Sequence, residues 1–250
     1  MNAPKYLGLE RGLVGFWSFD GKDMSGVHAY DKSGNGNRGE LTGGPVRSSG
    51  KLGQALSFDG SNDYVDMGVG ARALLDNLPQ ITVSAWIKAS GAISDRAVVD
   101  AATCTGAQGG GIFQLFVGYP SAGTAGFEIY PDDQVSQVAG ESTVQVTDNQ
   151  WHLLTGVYSG LQVAIYVDGR KENAATIGAV LLEPDTTASV EVGGHCNGTA
   201  GHEFPGTIDD VRIYNRALSA DEIKRLYKIG GTAKINTSIP GPTNGLVGYW

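Results

Sequence analysis

Residues 207–227 read TIDDVRIYNRALSADEIKRLY, and this stretch decides the fold. Its first half, TIDDVRIYN, is a strand-sized run of alternating and apolar residues closed by an asparagine turn signal. Its second half changes period. Ser219 stands as a cap, the acidic pair Asp221 and Glu222 follows, and Ile223, Leu226 and Tyr227 recur at three- and four-residue intervals, which predicts one short amphipathic helix. Upstream of it there is no second helical pattern. Strand-sized segments recur instead: GLVGFWSF, ALSFDG, YVDMG, ITVSAWIKA, AVVDAA, GIFQLFVG, GFEIY, STVQVT, HLLTGVYS, QVAIYVDG and SVEVGG, separated by Gly, Asn and Asp turns. Glycine makes up 38 of 250 residues, about twice the usual share of ~7%, as many tight turns require. The reading is an all-β sandwich with a single short C-terminal helix on its outside.

Charge narrows the partners. The chain carries a formal net charge of −8 and no basic stripe, which argues against nucleic acid, since that affinity rests on Lys and Arg neutralising phosphates. No run reaches the ~18 apolar residues of a membrane helix, so no membrane insertion is expected. The opening MNAPKYLGLERG has no apolar core of secretory length, so no signal peptide is expected in this chain.

The chain closes on GLVGYW, residues 245–250, which repeats GLVGFW at Gly12–Trp17 with one aromatic exchanged for another. Before it stands a stretch of linker composition, rich in Gly, Pro, Thr, Asn and Ser. The expected organisation is a lead-in at 1–11, one domain at 12–229, a linker at 230–244, and at 245–250 the first strand of a following repeat. Donation of that strand to a neighbouring subunit is the alternative.

Several segments, taken together and in order, resemble one family: GLVGFWSFDG, DKSGNGNRGEL, GKLGQALSFDGSNDYVDMG, ITVSAWIK, QWHLLTGVYSGLQVAIYVDGR, VEVGG and FPGTIDDVRIYNRALSADEIKRLY. They are similar to laminin G-like modules of the concanavalin A-like lectin/glucanase superfamily, over Gly12 to Lys228. The least typical stretches are DAATCTGAQGGG, residues 100–111, and HCNGTAGHEF, residues 195–204. The resemblance implies a two-sheet antiparallel jelly roll of about a dozen strands with the first and last strands side by side. Trp17, Trp86 and Trp151 are expected to pack in cores.

The superfamily includes hydrolases, whose paired carboxylates stand on one strand as Glu-x-Asp-x-Glu, so that alternation aims each at the cleft. No such run occurs. EIYPDD, Glu128–Asp133, lacks the second glutamate and carries Pro131. The four histidines, His28, His152, His195 and His202, come without a G-x-S-x-G elbow, and HCNGTAGH lacks the spacing of a zinc site. No enzymatic activity is expected. Cys104 and Cys196 are open to three readings: a bridge, paired ligands or separate thiols. An extracellular setting favours the disulfide.

Calcium is the expected cofactor. Asp20 ends the first strand and Asp209 and Asp210 open the last, so adjacent first and last strands would bring these carboxylates to one edge. That arrangement resembles the convex-side calcium site of the superfamily, with Asp31, Asn35 and the backbone near Gly60 as further ligands. The plainer alternative is that Asp20, Asp31 and Asp59 bond turn amides. Ligand contacts are expected on the atypical loops, at Tyr119, Tyr130, Asp132, His195 and Asn197, with Gln108, Asp133 and His202 nearby. The expected function is a non-catalytic, lectin-like carbohydrate-binding or adhesion module of a larger extracellular or surface protein, with a carbohydrate or glycoprotein partner. The alternative is an assembly module of a fibre, virion or surface array that contacts protein neighbours through its C-terminal strand.

Overall fold

The structure is a computed structural model that describes residues 8–68, 71, 75, 77–103, 110–119, 121–130, 138–177, 182, 189–195 and 201–232. The chain begins with β1 (Leu13–Trp17), β2 (Met24–Ser25), β3 (His28–Ala29), β4 (Gly39–Thr42), β5 (Val46–Ser49) and β6 (Gln54–Asp59). Next come β7 (Tyr64–Asp66), β8 (Ile81–Ser90), β9 (Arg96–Thr103), β10 (Gly110–Val117), β11 (Thr124–Ile129) and β12 (Val138–Gln145). β13 (Asp148–Tyr158), β14 (Gln162–Val167), β15 (Arg170–Thr176), β16 (Glu191–Val192), β17 (Pro205–Tyr214) and the helix α1 (Ala220–Thr232) follow.

These strands form two antiparallel sheets. The eight-stranded sheet runs β15-β14-β13-β8-β17-β6-β5 with β1 also on β17, and the nine-stranded sheet runs β12-β11-β10-β9-β16-β7-β4-β3-β2. Alternation gives each sheet one apolar face. On β8, Ile81, Val83, Ala85, Ile87 and Ala89 point inward; on the facing sheet Val65, Val99, Phe113, Leu115, Phe127, Ile129 and Val192 meet them. Trp17 is fully buried there and its indole N–H donates to the Asn37 carbonyl at 2.9 Å. Burying one large apolar side chain in this way contributes roughly 1.5–3 kcal/mol.

The first and last strands are neighbours, with Leu13 opposite Tyr214 and Trp17 opposite Val211. The other edge of β1 is covered by the DKSGNGN loop. Phe16 N–H donates to Asp31 Oδ1 at 3.0 Å, the Lys32 amide donates to the Phe16 carbonyl, and Asn35 and Asn37 both donate Nδ2 to the Val14 carbonyl.

A second apolar cluster lies on the outer side of the eight-stranded sheet, where Trp86, Leu153, Val157 and Tyr214 pack against Ile223 and Leu226 of α1. Trp86 stacks on Tyr227 with ring centroids 5.6 Å apart. Ser219 and Glu222 form a reciprocal cap: the Glu222 amide donates to Ser219 Oγ and the Ser219 amide donates to Glu222 Oε2. The helix runs through Gly230 and Gly231 to Thr232, three residues beyond the expected boundary. Gly230 lies so close to the Trp86 ring that a side chain there would strike it, so this glycine serves close packing and not a linker.

Candidate functional site

On the outer face of the nine-stranded sheet, six strand pairings align one outward residue per strand. Glu128 stands opposite Gln114, Gln114 opposite Asp100, and Asp100 opposite Glu191. The row continues from Glu191 to Asp66, from Asp66 to Glu40, and from Glu40 to His28. Its neighbours along each strand, Val99, Ala101, Phe113, Leu115, Phe127, Ile129, Val65 and Val192, belong to the core, so the row faces away from it. Adjacent members sit on strands ~4.8 Å apart.

Burial grades along this rung. Asp100 is 1% and Glu191 2% exposed, Glu128 and Gln114 are buried, Asp66 and His28 are half-buried, and Glu40 is exposed. Tyr64 lies two residues from Asp66 on the same side of β7. Gly194 packs against both the Tyr64 side chain and Glu191 Oε2, so the aromatic ring borders the rung.

Electrostatics follow from burial. Desolvation pushes Glu128 up to about 7, helped by the charges of Asp100 and Asp95 and opposed by the Tyr130 hydroxyl, which donates to Glu128 Oε1 at 2.6 Å. Desolvation also raises Asp100, against the pull of His195, whose Nδ1 lies 2.5 Å from Asp100 Oδ2. Burial alone would lower His195; the hydrogen bond and charge of Asp100 outweigh it and hold the imidazole above its ordinary value. Gln114 Nε2 is 3.4 Å from the same nitrogen, and the rings of His195 and His202 are 5.1 Å apart. Asp100 Oδ1 is buried with no hydrogen-bond partner. An aromatic ring beside a row of oriented acceptors can hold a polyhydroxylated ligand, because each carboxylate accepts from hydroxyl or amine donors.

Among the expected ligand residues, His195 and Tyr130 join the rung. Tyr130 is not the surface ring that its loop position suggested: it is 6% exposed, and its hydroxyl is spent on Glu128. Tyr119 is 55% exposed and leans on Phe116 with centroids 6.4 Å apart, off the rung. His202 pairs with Asp95 at 3.3 Å. Asp132, Asn197, Gln108, Asp133, Cys104, Cys196 and residues 245–250 lie outside the described residues.

Sequence reasoning missed Asp100, Gln114, Glu128, Glu191, Asp66 and Glu40. A signal was present in VVDAA, FQLFV, GFEI, VEV and YVDM, where one polar residue stands inside each apolar strand. An isolated polar residue flanked by inward apolar ones marks a position on the outer face of the sheet.

At the opposite sheet, Asp20 and Asp209 meet on the turn at residues 50–54. Asp209 Oδ2 accepts from the Leu52 amide at 2.9 Å and Asp20 Oδ1 from the Gln54 amide at 2.9 Å. Asp209 is fully buried, its Oδ1 has no hydrogen-bond partner, and burial followed by the Asp210 charge pushes it up to about 8. Asp210 has φ +52° at a bulge in β17 and pairs with Arg212 at 3.2 Å; the Asp20 charge also reaches it. Gly53, at φ +71°, carries no Cβ where one would strike Asp20 Oδ1. Asp31 and Asn35 are not part of this cradle, since both are bonded into the β1 edge. Gly60 lies at the other end of β6, against Pro205.

The family profile described as the Concanavalin A-like lectin/glucanases superfamily matches residues 59–224. No curated protein sequence matches the chain. Solved structures similar in fold include domain 4 of AbnA, a GH43 extracellular arabinanase from Geobacillus stearothermophilus, in complex with arabinotriose. It is 21% identical with a TM-score of 0.67, and the match covers 86% of this chain and 98% of that one. The binding domain of Paraclostridial Mosquitocidal Protein 1 is 15% identical with a TM-score of 0.64, covering 88% of this chain and 52% of that one. Trypanosoma rangeli sialidase, in complex with sialic acid, is 19% identical with a TM-score of 0.61, covering 86% and 32%. This chain therefore spans about half of the second protein and a third of the third. Among the described residues, no helix is long and apolar enough to cross a membrane.

Proposed function

Because the chain belongs to the concanavalin A-like lectin/glucanase superfamily, we propose that it is a non-catalytic carbohydrate-binding module working through the outer face of its nine-stranded sheet. The observation that carries this reading is the rung of outward acceptors from Glu128 to Glu40, bordered by Tyr64. Recognition on a rigid sheet needs little reorganisation, which conserves binding energy. Support comes from the fold it shares with an arabinanase domain solved with arabinotriose. In this reading the module serves a larger extracellular or surface protein and presents its face to a carbohydrate or glycoprotein.

Calcium belongs to the proposal as a staple. Asp20 and Asp209 would hold it with the carbonyls of the 50–54 turn, which must supply most of the ligands because, among the described residues, no three His, Cys, Asp or Glu side chains converge on one metal position. The fit rests on the buried Asp209 Oδ1 without a partner and on the space kept by Gly53. A bound dication would offset the repulsion between Asp209 and Asp210 and would tie β17 to the turn before β6. Strand donation to a neighbour has less in its favour: the place beside β17 is taken by Leu13–Trp17 of the chain itself, and the outer edge of β1 is covered.

The test is calorimetric titration of wild type and Glu191→Gln/Asp66→Asn with a panel of neutral, amine-bearing and acidic oligosaccharides. Binding of at least one saccharide that weakens ~10-fold or more, about 1.4 kcal/mol, in the double variant is the expected result. A blank panel, or equal binding by both proteins, would contradict the reading.

A further inference from the structure

The rung carries a charge bias that a site for neutral sugars does not require. Glu128, Asp100, Glu191, Asp66 and Glu40 are all carboxylic. The cations acting on Asp100 are the imidazoles of His195 and His202, and His195 is already bonded to Oδ2. Oδ1 of this 1%-exposed aspartate stays without a donor, an unfavourable arrangement for a buried polar group. A donor brought by a ligand would relieve it.

The form of the donor follows from the layout. Among the described residues, no three acids or histidines converge on a point that would hold a metal ion. The acceptors are strung in a line, one per strand at ~4.8 Å, at intervals comparable to one sugar ring. A line of acceptors suits a ligand with donors repeated along its length. An ammonium group offers three donors and no acceptor, and its bonds to carboxylate are charge-assisted. The net charge of −8 adds a long-range bias in the same direction.

We propose, on the basis of the carbohydrate-binding reading above, that this rung selects amine-bearing saccharides, such as glucosamine oligomers, and turns away sialylated, uronic or sulfated chains. Asp100, Glu191 and Asp66 are the selecting residues, and Tyr64 supplies the ring face. Acetylating the amine removes the charge and two donors, so the N-acetylated oligomer loses the contacts that matter.

The experiment titrates the protein, at mildly acidic pH and low salt, with the glucosamine tetramer, its fully N-acetylated counterpart, a neutral arabino-oligosaccharide and sialyllactose. The expected result is that the glucosamine tetramer binds ~10-fold or more tighter than the N-acetylated one. That preference should shrink in raised salt and disappear in Asp66→Asn and in Asp100→Asn, with thermal melting used to verify that both variants fold. Equal affinity for the two tetramers, or a preference for the arabino-oligosaccharide or sialyllactose, overturns charge selection while leaving carbohydrate binding intact. Binding of none of the four overturns this proposal; a blank across the wider panel overturns the carbohydrate reading with it.

Discussion

Asp100 on β9 and Glu191 on β16 stand directly opposite each other on the outer face of the nine-stranded sheet, and both are buried. Two carboxylates in adjacent strands favour keeping a proton between them or recruiting a cation. His195 answers part of that demand through its 2.5 Å contact with Asp100 Oδ2. The rung is thus a coupled acid-imidazole system at its buried end and a solvated acidic strip at its Glu40 end.

Removing the Asp100 charge reverses the balance on His195. Burial lowers this imidazole and Asp100 raises it, with the raising contribution dominant. In Asp100→Asn the burial contribution loses its main opponent, with the charges of Glu191 and Asp95 still acting against it, so His195 should titrate lower than in wild type, where it stands above its ordinary value. Following the ring proton shifts of His195 against pH measures this directly, and an unchanged midpoint would refute the coupling.

Glu128 makes the fold less stable at alkaline pH. Its folded value of about 7 lies above its ordinary 4.5, so the folded state holds the proton more tightly than the unfolded one. Between those two values stability falls as pH rises. Glu128→Gln keeps the oxygen that accepts from Tyr130 and removes the ionisation. It should raise stability at pH 8 by on the order of 1–3 kcal/mol and flatten the slope in that window, as seen in denaturant melts across pH. A variant weaker than wild type at pH 8 would count against this.

The helix cap has the opposite sign. Arg216, bonded to both carboxylate oxygens of Glu222, holds that group down at about 2, with the Ser219 bonds adding to it. Its contribution is complete above the ordinary 4.5 and is lost as pH falls toward 2. Ser219→Ala should cost ~1 kcal/mol near neutral pH, and Glu222→Gln should abolish the acid-dependent component of helix loss followed by circular dichroism.

Calcium and Asp209 give a paired prediction. With a chelator present, Asp209→Asn should leave the melting temperature unchanged or higher, because it removes a buried carboxyl whose Oδ1 has no partner. With calcium, wild type should gain stability by mass action and the variant should not. An equal calcium shift in both proteins would move the cation elsewhere.

The sandwich was legible because alternation and glycine turns mark strands locally, and the helix because the period changes at Ser219. The pairing of the first strand with the last was legible through the resemblance of the segments, in order, to laminin G-like modules. The rung was not. It depends on β16 lying between β9 and β7, an adjacency of segments far apart in the chain, and periodicity says which side chains face outward without saying which stand together. Tyr130 misled for a related reason: a tyrosine before Pro131 reads as loop surface, yet it is tucked under with its hydroxyl on Glu128. The two glycines after Ile229 read as linker because composition cannot register the Trp86 ring that requires one of them.

The most direct measurement maps where a saccharide lands. Amide chemical shifts of isotope-labelled protein, followed while the saccharide that binds best is titrated in, should move at Glu40, Tyr64, Asp66, Asp100, Gln114 and Glu191, and stay still along β17 and α1. Shifts confined to the eight-stranded sheet, the helix or the exposed Tyr119 turn, with the rung unmoved, would contradict the account.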